Sequence, residues 1–256
     1  MAGEDCSFEC KSVDGNSTTV IVSVELSNPP EVSSGEFSTS SNEGIAVGTI
    51  DLSSEITTFI MAGGSADEDY PQGKVAGVTL TPDFISSASG VREVVLQNLD
   101  LQEEADSLPD FIPTSVELLN LDNTLLSSYP TELGNFTSLH QLFMDYNYIT
   151  AVDSSDAIDS LVTLSIKSNS LTSFTGVFSN LEYLYLDANN LTSFPSAIFR
   201  HSNLKTLNLS GNSFASRTFA RNQVEFLNNL DALGLSTSDF STRIAPPPRT
   251  RHRLLV

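Results

Sequence analysis

Cations are scarce in this chain of 256 residues: Lys and Arg number 12 against 32 Asp and Glu, a formal net charge of −20. Nucleic acid and anionic lipid both require a cationic face, so an acidic surface of this kind repels them. Neither is expected as a partner of the body of the protein. The few basic residues are also unevenly spread. Arg243, Arg249, Arg251 and Arg253 fall in the last fourteen residues, where no acid follows Asp239.

Cysteine is nearly missing. Cys6 and Cys10 are the two that occur, too few for a disulfide framework or a zinc site. They either bridge each other in a short loop or stay as free thiols, and the spacing does not choose. Long apolar runs are missing as well: nothing approaches the roughly 18 apolar residues of a membrane span. MAGEDCSFEC has neither the basic start nor the apolar run of a signal peptide. The expectation is a soluble chain without membrane insertion, or a piece of something longer.

Signatures of catalysis are missing too. His140, His201 and His252 have no nucleophile or metal-spaced partner, and there is no G-x-S-x-G or H-E-x-x-H. QGKV at 72–75 lacks the glycine and Ser/Thr of a phosphate loop, and DSSDAID, with Asp153, Asp156 and Asp159, lacks the spacing of an EF-hand. No enzyme activity, metal or cofactor is expected. The four N-x-[ST] sequons, at Asn16, Asn135, Asn190 and Asn208, are about what this Asn- and Ser/Thr-rich composition yields by chance.

What the chain has is repetition. LEYLYLDANNL from Leu181 and LKTLNLSGNSF from Leu204 are nearly one phrase, L-x-x-L-x-L-x-x-N-x-[LF]. The units start at Val91, Val116, Leu139, Leu161, Leu181, Leu204 and Leu230, in steps of 25, 23, 22, 20, 23 and 26 residues. A weaker copy is read from Val75 through Val78, Leu80, Asp83 and Ile85. The alternation L-x-L marks a short strand with one face inward, since strand side chains alternate with period two. An Asn at the ninth position turns the chain, its amide satisfying backbone groups that the bend would otherwise bury unpaired. That slot holds Asn147, Asn169, Asn189 and Asn212, with Thr124 and Ser238 as weaker substitutes and Leu99 outside the rule. The intervening returns, such as TSFPSAIFRHSN (192–203), are short and Pro-punctuated, which favours turns and brief helical pieces. RTFARNQVEFLNN (217–229) has room for about two helical turns.

On these residues the chain resembles the leucine-rich repeat superfamily over roughly 75–240. LTSFP and LSGNSF are similar to phrases in the ectodomains of receptor-like kinases and receptor-like proteins. The resemblance implies an α/β solenoid: a curved parallel β-sheet on the concave face, with loops and short helical turns on the convex face. Residues 1–74 do not repeat. TTVIVSVEL (18–26), GIAVGTIDL (44–52) and ITTFIMAGG (56–64) read as strands of a small β-rich cap, ADEDYPQG (66–73) as an acidic loop, and 241–256 as a flexible Pro/Arg-rich tail.

The outward slots of successive strands form columns. They gather Phe143, Tyr146, Tyr183 and Tyr185 near the middle of the array, with Asp122, Asp145, Asp187, Glu117 and Glu182 expected around them. Exposed aromatic rings are enriched in interface hot spots. A protein or peptide offering Lys or Arg beside an apolar surface suits such a patch, through cation–π contact and charge pairing. The expected function is a non-catalytic recognition module of a receptor-like or secreted protein. An intracellular scaffold or regulatory subunit using the same face is the alternative.

Overall fold

The computed structural model describes residues 18–24, 26, 45–64, 70–153, 155 and 158–240. Cys6, Cys10, Asn16, Asp156 and the segment 241–256 lie outside them.

Each coil ends where it began, one strand spacing along, so its strands stack in parallel. The principal sheet is a nine-rung ladder. Its rungs are β1 (Thr19–Val24), β3 (Thr58–Gly63), β5 (Glu93–Gln97), β7 (Leu118–Asn120) and β8 (Gln141–Phe143), then β10 (Thr163–Ser165), β12 (Tyr183–Tyr185), β13 (Thr206–Asn208) and β14 (Ala232–Gly234). The register has no slips: Leu119, Leu142, Leu164, Leu184 and Leu207 are successive partners. All five are fully buried, as are Leu96, Met144, Ile166, Leu186 and Leu209. Burying one such side chain contributes about 1.5–3 kcal/mol relative to leaving it wet. The aliphatic rows are therefore what hold the coils together.

Two corrections concern the N-terminal side. The segment read as a cap supplies β1 and β3, which extend the same ladder: Val20 and Val22 pair with Phe59 and Met61, and these with Val94 and Leu96. The repeat thus continues upstream, with Phe59 and Val94 separated by 35 residues (94 − 59) instead of about 23. The weaker copy at Val75 is not a rung. Its strand, β4 (Ala76–Leu80), lies in a second sheet between β2 (Ile45–Val47) and β6 (Leu99–Asp100). The longer coils have enough chain for second strands of three and five residues, β2 and β4, on the far side of the core, whereas the shorter ones carry at most two residues of strand there. There the far side carries a two-residue pair, β9 (Ala151–Val152) with β11 (Ser173–Phe174), and 3-10 turns at Thr131–Asn135 and Ser196–Arg200. Helices are short, α1 over Leu108–Phe111 and α2 over Arg221–Asn228, the latter inside the stretch expected to be helical.

The Asn slots are buried and bonded to the preceding coil. Asn147 donates through Nδ2 to the carbonyl of Leu121 (2.8 Å), and its Oδ1 accepts from the amides of Thr124 (2.9 Å) and Leu126 (3.0 Å). Asn169 donates to Met144 O and accepts from Ile149 N, Asn189 donates to Ile166 O and accepts from Leu171 N, and Asn212 donates to Leu186 O and accepts from Leu191 N, all between 2.8 and 3.0 Å. Thr124 substitutes in part, its hydroxyl donating to Leu121 O at 2.8 Å. In the last coil the anchor is Asp239 and not Ser238. Its carboxylate accepts from Gly211 N (2.8 Å) and Ser236 N (2.6 Å), and its carbonyl accepts from Phe214 N (2.7 Å).

Candidate functional site

Strand alternation sends every second side chain of the ladder away from the core. On the middle rungs Phe143, Tyr183 and Tyr185 are half-buried while Leu142 and Leu184 between them are fully buried. Phe143 pairs with Ser165, and Ser165 with Tyr185, so the two rings lie in one column on rungs two spacings apart, about 10 Å. Ser165 between them is small and itself buried, its hydroxyl donating to Asp145 Oδ1. Tyr183 lies on the same rung as Tyr185, beside Thr163 and Thr206. The structure therefore brings Phe143, Tyr183 and Tyr185 together.

Tyr146 is placed differently. It follows β8 in a left-handed conformation (φ 57°) and donates its amide to Lys167 O at 3.1 Å. Tyr146 is 43% exposed beyond the C-terminal end of β8, with Tyr148 at 42% close by in sequence. The adjacent turn is held from outside. Gly73 N donates to Asn123 Oδ1 (2.7 Å) and Gln72 Nε2 to Asn147 O (2.6 Å), so part of the stretch expected to be a solvated loop is fastened to this corner.

The carboxylates separate into two groups. Asp122, Asp145 and Asp187 leave the C-terminal ends of their strands, and the first two reach to the next coil. Asp122 Oδ1 accepts from Asp145 N at 2.7 Å, and Asp145 Oδ1 accepts from Lys167 N at 2.9 Å and from Ser165 Oγ at 2.6 Å. The other oxygen of Asp145 pairs with Lys167 Nζ at 3.0 Å. Asp145 is only 3% exposed. Its expected role as a contact for a partner is therefore corrected: it joins coils and holds Lys167. Asp187 is half-buried, and its Oδ1 is buried without a hydrogen-bond partner.

Burial, reinforced by the nearby charge of Asp145, raises the Asp122 carboxyl to about 6. Burial likewise raises Asp187 above the usual carboxylate range. For Lys167, burial works against the charge, but the hydrogen bond and charge of Asp145 outweigh it and the net shift is upward. Lys167 is a site residue that sequence patterning does not single out. Its one signal is its place in the column of aspartates, between Asp145 and Asp187.

Glu117 and Glu182 do not surround the rings. They precede their strands, and each meets a cation: Glu182 pairs with Lys205 Nζ at 2.6 Å, and Glu117 lies 3.8 Å from Arg92 Nε. They form a rim of paired charges at the N-terminal ends of the strands.

Among the described residues no group of three or more His, Cys, Asp or Glu could hold a metal ion, and no helix is long and apolar enough to cross a membrane. His201 is buried in the interior. Its Nε2 accepts from Phe178 N at 3.2 Å, its Nδ1 lies 3.3 Å from Ile198 O, and burial lowers its pKa.

A protein-family model described as "Leucine rich repeat" matches residues 179–240. Mouse (Mus musculus) lumican is 33% identical over 161 residues, 58% of this chain and 47% of that protein. Fibromodulin of Sus scrofa is 35% identical over 121 residues, 44% of this chain and 82% of that sequence. The chain thus spans about half the length of the lumicans it matches. Among solved structures, a leucine-rich repeat protein of Leptospira interrogans superposes with a TM-score of 0.50 and 22% identity, covering 75% of this chain and 51% of that one. That likeness is one of fold.

Proposed function

The chain belongs to the leucine-rich repeat superfamily, and on that premise we propose that it is a non-catalytic recognition module that binds a protein or peptide on the open face of its ladder. One observation carries the reading: Phe143 and Tyr185 share a column and stand partly exposed on either side of the buried Ser165. Rings presented on a rigid sheet form a contact surface that loses little conformational entropy on binding. Asp122 and Asp187 add negative charge at one margin, so the preferred partner carries Lys or Arg beside an apolar surface. The net charge of −20 argues against a polyanionic partner such as nucleic acid. The reading assigns the module to the outside of the cell, in a receptor-like or secreted protein, in keeping with its likeness to lumican and fibromodulin.

The test is capture of partners by cross-linking from the source tissue, with Tyr183→Ala plus Tyr185→Ala as the control. Both rings project outward from a strand whose core residue, Leu184, stays in place. The double variant is expected to lose capture about tenfold or more, as hot-spot truncations do, with cooperative unfolding retained. Full capture by a folded double variant would exclude this face as the binding surface.

A further inference from the structure

Resting on the reading of the open face as a binding surface, we propose that its first occupant is the chain's own segment 241–256, STRIAPPPRTRHRLLV. Charge favours this pairing first. Residues 1–240 hold all 32 acids and 8 of the 12 Lys and Arg, a balance of −24, and 241–256 hold 4 Arg and no acid. The two parts of one chain are thus of opposite sign. The segment is held at the surface by its own covalent link, so their attraction operates at an effective concentration on the order of millimolar.

Composition favours it next. Pro246, Pro247 and Pro248 favour an extended polyproline segment, which has little conformational entropy left to lose and is a known fit for faces lined with aromatic rings. Here the lining is Phe143, Tyr183 and Tyr185. Arg249 and Arg251 follow the prolines closely, next to the carboxylates of Asp122 and Asp187 in this arrangement. No fixed spacing of the arginines is required, because guanidinium groups stack on rings as readily as they pair with acids.

Reach permits it. The last described residue, Phe240, packs beside Phe214 in the final coil. From β14 the rung of Tyr185 is two spacings away and that of Phe143 four, roughly 10 and 19 Å. Nine residues from Phe240 to Arg249 span up to about 30 Å when extended. The segment can therefore cross the whole aromatic patch from where it departs.

The experiment uses the full-length chain and a fluorescent synthetic peptide of residues 241–256. Its anisotropy is measured with wild type, with a variant carrying Arg243→Gln, Arg249→Gln, Arg251→Gln and Arg253→Gln, and with that variant also carrying Tyr183→Ala and Tyr185→Ala. The peptide is expected to bind the Arg-to-Gln chain about tenfold more tightly than wild type, where the tethered copy competes. This binding is expected to weaken with added salt and to be lost with the two tyrosines. Equal affinity for wild type and the Arg-to-Gln chain, or no binding to either, would overturn the proposal. Tight binding that ignores the tyrosine changes would overturn it too, by moving the segment to another surface. Neither result bears on capture of an external partner, which the tyrosine variant tests separately. Light scattering completes the set: a wild-type dimer that separates when the arginines are neutralised would mean that the segment occupies a second copy, against docking within one chain.

Discussion

At the scale of single residues, Asn189 makes the clearest case for why the repeat keeps its polar slot. Its Nδ2 lies 2.8 Å from Ile166 O and 3.2 Å from Leu186 O, and its Oδ1 accepts from Leu171 N at 2.8 Å. Ile166 and Leu171 belong to the preceding coil, and Leu186 to the coil of Asn189 itself. Asn189→Leu leaves Ile166 O and Leu171 N unpaired, while Leu186 O keeps its bond from Asn212 Nδ2, at an expected cost of about 1–3 kcal/mol. The neighbouring Asn190 is exposed, so Asn190→Ala serves as a control with a change within about 0.5 kcal/mol. Urea midpoints of the two variants check this, and a wild-type midpoint for Asn189→Leu would mean the slot is not structural. The corner preceding the slot was harder to read from sequence. Asn98, Asn123, Tyr146, Ser168 and Ala188 are all left-handed there, with φ between 52° and 57°, and Gly211 follows at 74°. One backbone requirement is met by five residue types, so the conformation left no common letter to find. Among them only Asn and Gly accept it readily.

At the scale of elements, the coils of 20 to 26 residues were legible because a fixed period and a two-residue alternation coincide in them. The rungs β1 and β3 were legible as strands but not as rungs. Their coils are lengthened by a second strand, and the distance between equivalent residues leaves the window in which repeats are recognised. The pattern at Ile56, Phe59 and Met61 is I-x-x-F-x-M, the same phrase with a Phe and a Met in its core slots. If β3 is a rung, Phe59 carries the same stability as a core leucine of the central coils. The Phe59 ring is fully buried and meets Phe84 edge-on at 5.5 Å. Phe59→Ala is expected to cost about 3–5 kcal/mol and to lower the single unfolding transition of the whole chain. Denaturation followed by circular dichroism decides it: a separate early transition, with the main one unmoved, would make the N-terminal coils an appendage. The site was legible to the same degree as the coils. Register alone put Phe143 and Tyr185 in one column, whereas the inward turn of Asp145 depends on which side chain reaches the next coil's amide, and no spacing encodes that.

At the scale of the whole molecule, the burial of titratable groups sets how stability depends on pH. Asp122 has a folded pKa of about 6 against an ordinary 3.8, raised by burial first and by Asp145 second. A raised folded pKa means that the folded state binds the proton more readily. Its contribution to stability is complete below 3.8 and is lost as pH rises through about 6. Asp187 and Glu104, both raised by burial, act in the same direction. His201 acts in the opposite one: its pKa is lowered by burial, so its contribution is present above 6.5 and is lost as the pH falls through its lower folded value. The wild-type curve is thus a difference of opposed effects, and Asp122→Asn separates them. The amide oxygen still accepts from Asp145 N, while the charge and its titration are gone. Relative to wild type, Asp122→Asn is expected to be most favourable at about pH 7.5 and to lose about 1 kcal/mol of that advantage by about pH 5, as wild-type Asp122 takes up its proton. Urea unfolding of both proteins at the two pH values measures it. A difference that does not change with pH would mean that Asp122 titrates alike in the folded and unfolded chains, and that the crowding of Asp122, Asp145 and Lys167 at the margin of the face does not perturb its charge.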